Sequence, residues 1–236
     1  MKKIKVVVPV ATPIWDEVVL KEMQKYKDSD TLIEICHLET GAESIENAFD
    51  EAWCALPTLL EVIKAEKEGY DGVIIYCYGD PGLKAAREGV NIPVVAIGEA
   101  SAHIASIIGR KFGIITAGPP EAGPYLLDNL KVYELDHKCV GVRSLGIPVM
   151  SLIGTEQDAL TALLRVGKEM VEQGADVLIL GCGSILGIAD KASRELGVPI
   201  VLPAAASIKL CESLIAMGIS QSKKGYPAPH DKKRIK

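Results

Sequence analysis

The sequence predicts an α/β fold: two similar lobes, each a four-stranded parallel sheet flanked by helices, related by a pseudo-twofold that arose from internal duplication. Three observations carry this. Short β-branched runs alternate with helical stretches along the whole chain. The runs are bounded by Gly and Pro and lack polar alternation, as parallel strands covered on both faces do. One half of the chain repeats in the other.

Taken in order, the first half opens with "KVVVPV" and continues with "LIEICHL", "GVIIYCY" and "PVVAI". Between the second and third of these, "SIENAFDEAWCALPTLLEVIKAEKEG" carries apolar residues at helical spacing. The second half adds "GIITA", "CVGVRSL", "DVLILGC" and "PIVLP". Parallel strands in this order need right-handed crossovers through the intervening helices. The duplication is read from "KEGYDGVIIYCYGDPGLKAAREGVNIPVVAIGEASA" against "EQGADVLILGCGSILGIADKASRELGVPIVLPAAAS". Gly69 matches Gly174 and Cys77 matches Cys182 at an offset of 105, and Pro93 matches Pro199 at 106. The expected division is a first lobe over 1–98, a second over 99–206, a C-terminal helix over 207–222 packing back on the lobes, and a basic flexible tail over 223–236.

Composition narrows the function classes. A chain of 236 residues, 48% hydrophobic and 24% charged, is long enough to bury a proper core. Aromatics at 5% and a formal charge of −5 argue against a nucleic-acid partner. The amino terminus does not resemble a signal peptide, and no window is apolar for long enough to span a membrane, so a cytoplasmic protein is expected. His37, His103, His137 and His230 lack ligand spacing with the cysteines, and no phosphate-cradling or dinucleotide motif occurs. Neither a metal nor an organic cofactor is expected; the partner is a small-molecule substrate.

The six cysteines do not suggest a disulfide scaffold in a chain of this size. Cys36, Cys54, Cys139 and Cys211 lie in apolar or amphipathic patterns and read as inert, buried small hydrophobes. Cys77 and Cys182 differ: each ends a strand and precedes a turn and a helix. Ligands of open parallel sheets bind beyond the carboxyl ends of the strands. Asp80 with Pro81, and Ser184 in the second copy, read as caps for the following helices. A thiol facing such a helix start is expected to fall from about 8.5 toward neutrality and to serve as a base. Trp15 and Trp53 read as core or interface rather than pocket.

"CYGDPGLKAARE", "GEA" at 98–100 and "LGCGSI" together resemble the aspartate/glutamate/hydantoin racemase superfamily, its hydantoin racemase branch above all. The resemblance implies a cofactor-independent racemase in which Cys77 and Cys182 form the catalytic pair, and a homo-oligomer. One thiolate would remove a proton from a carbon acid, a hydantoin or amino-acid derivative, and the other thiol would return one to the opposite face. Inverting a stereocentre beside a carbonyl needs such a pair and stabilisation of an enolate-like intermediate. The N–H groups of Tyr78, Gly79, Gly183 and Ser184 are the expected oxyanion donors.

The chain also departs from the family pattern. Hydantoin racemases typically carry Asn-Pro-Asn-Thr after the first strand, where this chain has Val8, Pro9 and Val10; Val-Thr-Thr becomes "IITAG", keeping Thr116 but not the residue after it. Thr12 and Thr116 each have two readings, ligand contact or strand-end capping. Glu99 likewise either orients substrate or caps the helix after Gly98. Two alternative functions remain open at this level: a maleate isomerase-like or related enzyme, and a non-catalytic small-ligand sensor on the same fold.

Overall fold

The computed structural model describes residues 1–233. All eight expected strands form, in two parallel sheets of identical topology. The first contains β1 (Lys2–Val7), β2 (Thr31–Cys36), β3 (Gly72–Ile75) and β4 (Val94–Ala96) in the order β2-β1-β3-β4. The second contains β5 (Phe112–Thr116), β6 (Cys139–Ser144), β7 (Val177–Leu180) and β8 (Ile200–Val201) in the order β6-β5-β7-β8. The equivalence extends to register: Ile4 pairs with Gly72 and Val7 with Ile75, while Phe112 pairs with Val177 and Ile115 with Leu180. β3 and β7 are buried along their whole length, which explains their unbroken apolar sequences.

Among the described residues eight α-helices connect and cover the strands: α1 (Asp16–Gln24), α2 (Ala48–Lys67), α3 (Leu83–Gly89), α4 (Ile97–Ile108), α5 (Pro124–Val132), α6 (Glu156–Glu172), α7 (Ala189–Leu196) and α8 (Pro203–Met217). α4 and α8 are exchanged between the lobes. α4 follows β4 yet packs against β7 and β8, and α8 follows β8 yet packs against β3, β4 and α1. The approach of α8 is close: a side-chain carbon at Gly72 would lie 2.8 Å from the Cys211 sulfur.

The structure corrects four expectations. The C-terminal helix begins at Pro203 rather than at 207, and α4 runs across the expected lobe boundary at 98. The tail is not loose from 223, since the Lys223 ammonium donates to the carbonyls of Arg87, Glu88 and Val90. Gln221 beside it bonds Val90, Ile92 and Val94. The last part of that predicted tail, 234–236, lies outside the described residues. Asp80 does not cap α3, whose N-cap is Gly82; with φ at +54° it instead accepts from the N–H groups of Gly98 (2.8 Å) and Glu99 (2.7 Å) at the start of α4. Gly98 is obligatory there, because a Cβ would run into the Tyr78 carbonyl and the Asp80 carboxylate.

Candidate active site

The carboxyl ends of β1, β3, β5 and β7 converge on one cavity. Cys77 and Cys182, one from each lobe, both line it. Their turns are built alike: the Cys77 carbonyl accepts from the N–H of Asp80 at 3.0 Å, and the Cys182 carbonyl from that of Ile185 at 3.3 Å. Each strand end is pinned by its neighbour, with Tyr76 N–H bonded to Val7 and Gly181 N–H to Ile115. The two turns are also tied across the lobes. The Tyr76 hydroxyl donates to the Gly183 carbonyl, and the Asn129 amide of α5 donates to the Gly79 carbonyl at 2.7 Å.

Both cysteines are partly covered and line the cavity. Burial pushes both thiols up from the ordinary value, Cys77 well up, and a charge on Cys182 raises Cys77 further. This corrects the expectation of an acidic thiol. The reason is geometric: α3 starts only at Leu83 and α7 only at Ala189, so neither sulfur sits directly at a helix start. Local donors oppose the burial. The Gly79 N–H serves Cys77, while the Ser184 N–H and hydroxyl and the Ala117 N–H serve Cys182. The Gly79 and Ser184 N–H groups expected at an oxyanion thus serve the sulfurs, and Ser184 solvates its thiol rather than capping α7.

Of the other residues expected at the site, Tyr78, Gly79, Thr116, Gly183 and Ser184 line the cavity. The Thr116 hydroxyl is spent on the Gly181 carbonyl at 2.9 Å, so it holds β5 to β7. Tyr78 is buried, and its hydroxyl has no partner among the described residues. Gly183 admits no side chain, because a Cβ would come 2.5 Å from the Tyr76 ring.

Two expected residues are elsewhere. Thr12 caps a single 3-10 turn, accepting from Ile14 N–H at 3.4 Å. Glu99 pairs with Arg87, which also bonds the Tyr226 hydroxyl, in a separate hollow. Both sites are structural, and neither residue reaches the thiols' cavity.

The cavity has walls that no motif announced. Trp15 is buried and lines it, correcting its assignment away from the pocket, whereas Trp53 lies exposed on α2. Val8, Pro9 and Val10 form an apolar wall where the family pattern carries amides. Tyr125, at the start of α5, faces the cavity, and burial together with the two thiols raises its pKa, keeping the hydroxyl protonated as a donor. Glu46 is the only charged residue among the described residues lining the cavity. Its Oε1 accepts from the Ser44 hydroxyl and the Val149 N–H, each at 3.2 Å, leaving Oε2 for another donor. Glu46 and Tyr125 come from a loop and a helix start, where periodicity carries no signal. No group of three or more His, Cys, Asp or Glu side chains is arranged to hold a metal among the described residues.

Comparison with known proteins gives a consistent picture. The family described as Asp/Glu/Hydantoin racemase is matched by residues 4–211. A hydantoin racemase of Pseudomonas sp. (strain NS671) is 33% identical, over 99% of this chain and 94% of its own. A hydantoin racemase of Paenarthrobacter aurescens is 32% identical, over 99% of this chain and 100% of its own. Among solved structures, the allantoin racemase of Pseudomonas fluorescens has a TM-score of 0.93 at 30% identity, covering 99% of this chain and 100% of that one.

Proposed function

Because the chain belongs to the Asp/Glu/hydantoin racemase family, we propose that it is an isomerase that racemises a small cyclic ureide of the hydantoin or allantoin type by proton transfer between Cys77 and Cys182. The observation that carries this reading is that one thiol from each lobe lines a single cavity. In such a ring, the stereogenic C–H lies beside a carbonyl and is a carbon acid. The thiolate on one face takes its proton, leaving a planar enolate, and the thiol on the other face protonates it with inversion. The product leaves the two thiols with their protonation exchanged, so the opposite enantiomer meets the complementary state. The upward shift of both thiols suits the task, since a more basic thiolate is a stronger acceptor from carbon.

Cavity chemistry favours a neutral ureide over a free amino acid. Among the described residues no cation lines the cavity to hold a substrate carboxylate, and Glu46 would repel one. A ureide brings N–H donors that match the open Oε2 of Glu46 and carbonyls that match the Tyr125 hydroxyl. The Val8–Pro9–Val10 wall and Trp15 suit an apolar ring substituent.

The test is to follow enantiopure 5-benzyl- and 5-isobutylhydantoin, allantoin, and free aspartate and glutamate in heavy water, by optical rotation and by loss of the C–H proton signal. Loss of rotation with deuterium uptake is expected for one of the ureides and for neither amino acid. No ureide exchanging faster than its uncatalysed rate would refute the reading.

A further inference from the structure

The thiols' cavity has a neighbour. Beside it lies a second hollow of about 120 Å³, lined by Val18, Leu152, Ile185, Leu186 and Ile188; the thiols' cavity measures about 50 Å³. Trp15 and Ser184 line both, so these two residues stand between them.

Local structure holds this partition in place. Trp15 closes the 3-10 turn Pro13–Trp15, whose first residue has a fixed φ and whose start is capped by the Thr12 hydroxyl. α1 begins at the next residue, and the Asp16 carboxylate is tied to His37 Nδ1 at 2.7 Å. The Trp15 side chain is buried, and Ser184 is engaged by Cys182. Another 3-10 turn, Val149–Ser151, runs past both hollows, with Val149 at the thiols' cavity and Leu152 at the chamber.

The chamber is apolar. Leu152, Ile185 and Ile188 are buried. Among the described residues its polar lining is Ser184 and the exposed Glu156, whose carboxylate accepts from the Gly154 N–H at 3.3 Å. An apolar cavity of about 150 Å³ takes up benzene, so this one suits a branched alkyl or phenyl group. The ureido arm of allantoin would lose its hydration there for few partners.

We infer that Trp15 sets the length limit of the substrate's ring substituent, and that the chamber behind it is a latent subsite for the arylalkyl group of a 5-substituted hydantoin. This rests on the ureide reading above. With the indole in place, the narrow cavity takes the ring and a short substituent. A shorter side chain at 15 joins the two hollows, and a longer apolar group is then buried among Leu152, Ile185 and Ile188.

The test is the ratio of kcat/KM for 5-(2-phenylethyl)hydantoin to that for 5-methylhydantoin, which does not depend on the fraction of enzyme folded. The wild type is expected to favour the methyl compound. Trp15→Leu is expected to raise the ratio by roughly 10- to 200-fold, the range over which apolar pockets discriminate. Adding Ile188→Phe, which fills the chamber from outside the thiols' cavity, is expected to cancel the gain. Wild-type crystals under xenon pressure are expected to bind xenon beside Leu152 and Ile188, a readout independent of turnover. A wild type that prefers the longer compound, a ratio unmoved by Trp15→Leu, a gain that survives Ile188→Phe, or a chamber without xenon would each overturn the inference. A wild type that exchanges no ureide would instead refute the functional reading, and the length limit would fall with it.

Discussion

The Tyr76 hydroxyl donates to the carbonyl oxygen of Gly183 across 3.3 Å. Tyr76 directly precedes Cys77 and Gly183 directly follows Cys182, so this bond between lobes sets the two thiol-bearing turns relative to each other. The Tyr76 ring presses on Gly183 as well, which is why that position has no room for a side chain.

Tyr76→Phe keeps the ring and removes the bond. If the bond sets the spacing of the thiols, kcat should fall about 10-fold or more while KM changes little, since misplaced proton-transfer partners are costly. Steady-state kinetics on the ureide accepted best would decide it; a change in KM alone would assign Tyr76 to binding instead.

Replacing Cys77 or Cys182 by Ser should abolish racemisation, by a factor on the order of 10² to 10⁴ or more. Each variant keeps one thiol and should still exchange the ring proton of one enantiomer without inversion, the two variants preferring opposite enantiomers. Proton NMR in heavy water with each pure enantiomer measures this. Near wild-type racemisation by either variant would rule out the two-thiol mechanism. A small strand-end replacement should leave the fold intact.

The pH profile follows from the direction of the thiol shifts. The resting site needs one thiolate, and burial pushes both thiols up, so kcat/KM should rise with pH and keep rising past the ordinary thiol value of about 8.5. At still higher pH the second thiol also ionises and the rate should fall, giving a bell with both limbs on the alkaline side. The two apparent values belong to the pair. A rate already level between pH 6.5 and 8.5 would contradict this.

Glu46→Gln keeps the size of the side chain but replaces a charged acceptor by a neutral one. Losing a hydrogen bond to a charged group should raise KM by about 10- to 100-fold. The same change should relieve the repulsion of a carboxylate-bearing analogue, such as an N-carbamoyl amino acid acting as inhibitor. Inhibition constants for neutral and anionic ligands in the two proteins form the measurement, and a parallel loss for both would remove Glu46 from substrate selection.

Asp80 has a stability signature. Burial pushes its carboxyl up to about 7, against the donors Tyr133, Gly98 and Glu99. The folded value then lies above the unfolded value of about 3.9, so the contribution is full below pH ~4 and is lost as pH rises through about 7. The total is at most about 4 kcal/mol. Asp80→Asn should flatten this slope in urea-unfolding midpoints taken from pH 4 to 8; an unchanged slope would assign it to other groups.

Much of this was legible in the residues. The offset linking Cys77 to Cys182 already implied equivalent strand ends, because a repeated strand–turn–helix unit carries its chemistry to the same place in each copy. Caps were less legible. Asp80 looks like a first-turn cap, but its left-handed backbone aims the carboxylate at a helix 18 residues on. Glu99 sits in a conspicuous motif, yet its partner Arg87 and the Tyr226 beside it come from distant segments. Glu46 and Tyr125 reach the cavity through loop paths that no periodicity encodes. Thiol acidity was misjudged because distance to a helix start is three-dimensional, and here burial outweighs it.

The exchange of α4 and α8 bears on how such a chain is made. During synthesis the first sheet emerges early, but the helix that shields β3 and β4 is translated only after the whole second sheet. The amino-terminal half therefore waits, with one apolar face open, for residues 203–217 to leave the ribosome. A chain with one lobe alone would face the same deficit permanently, closing only by lending its final helix to a twin and borrowing the twin's in return. Joining the two lobes makes that loan a covalent arrangement within one molecule.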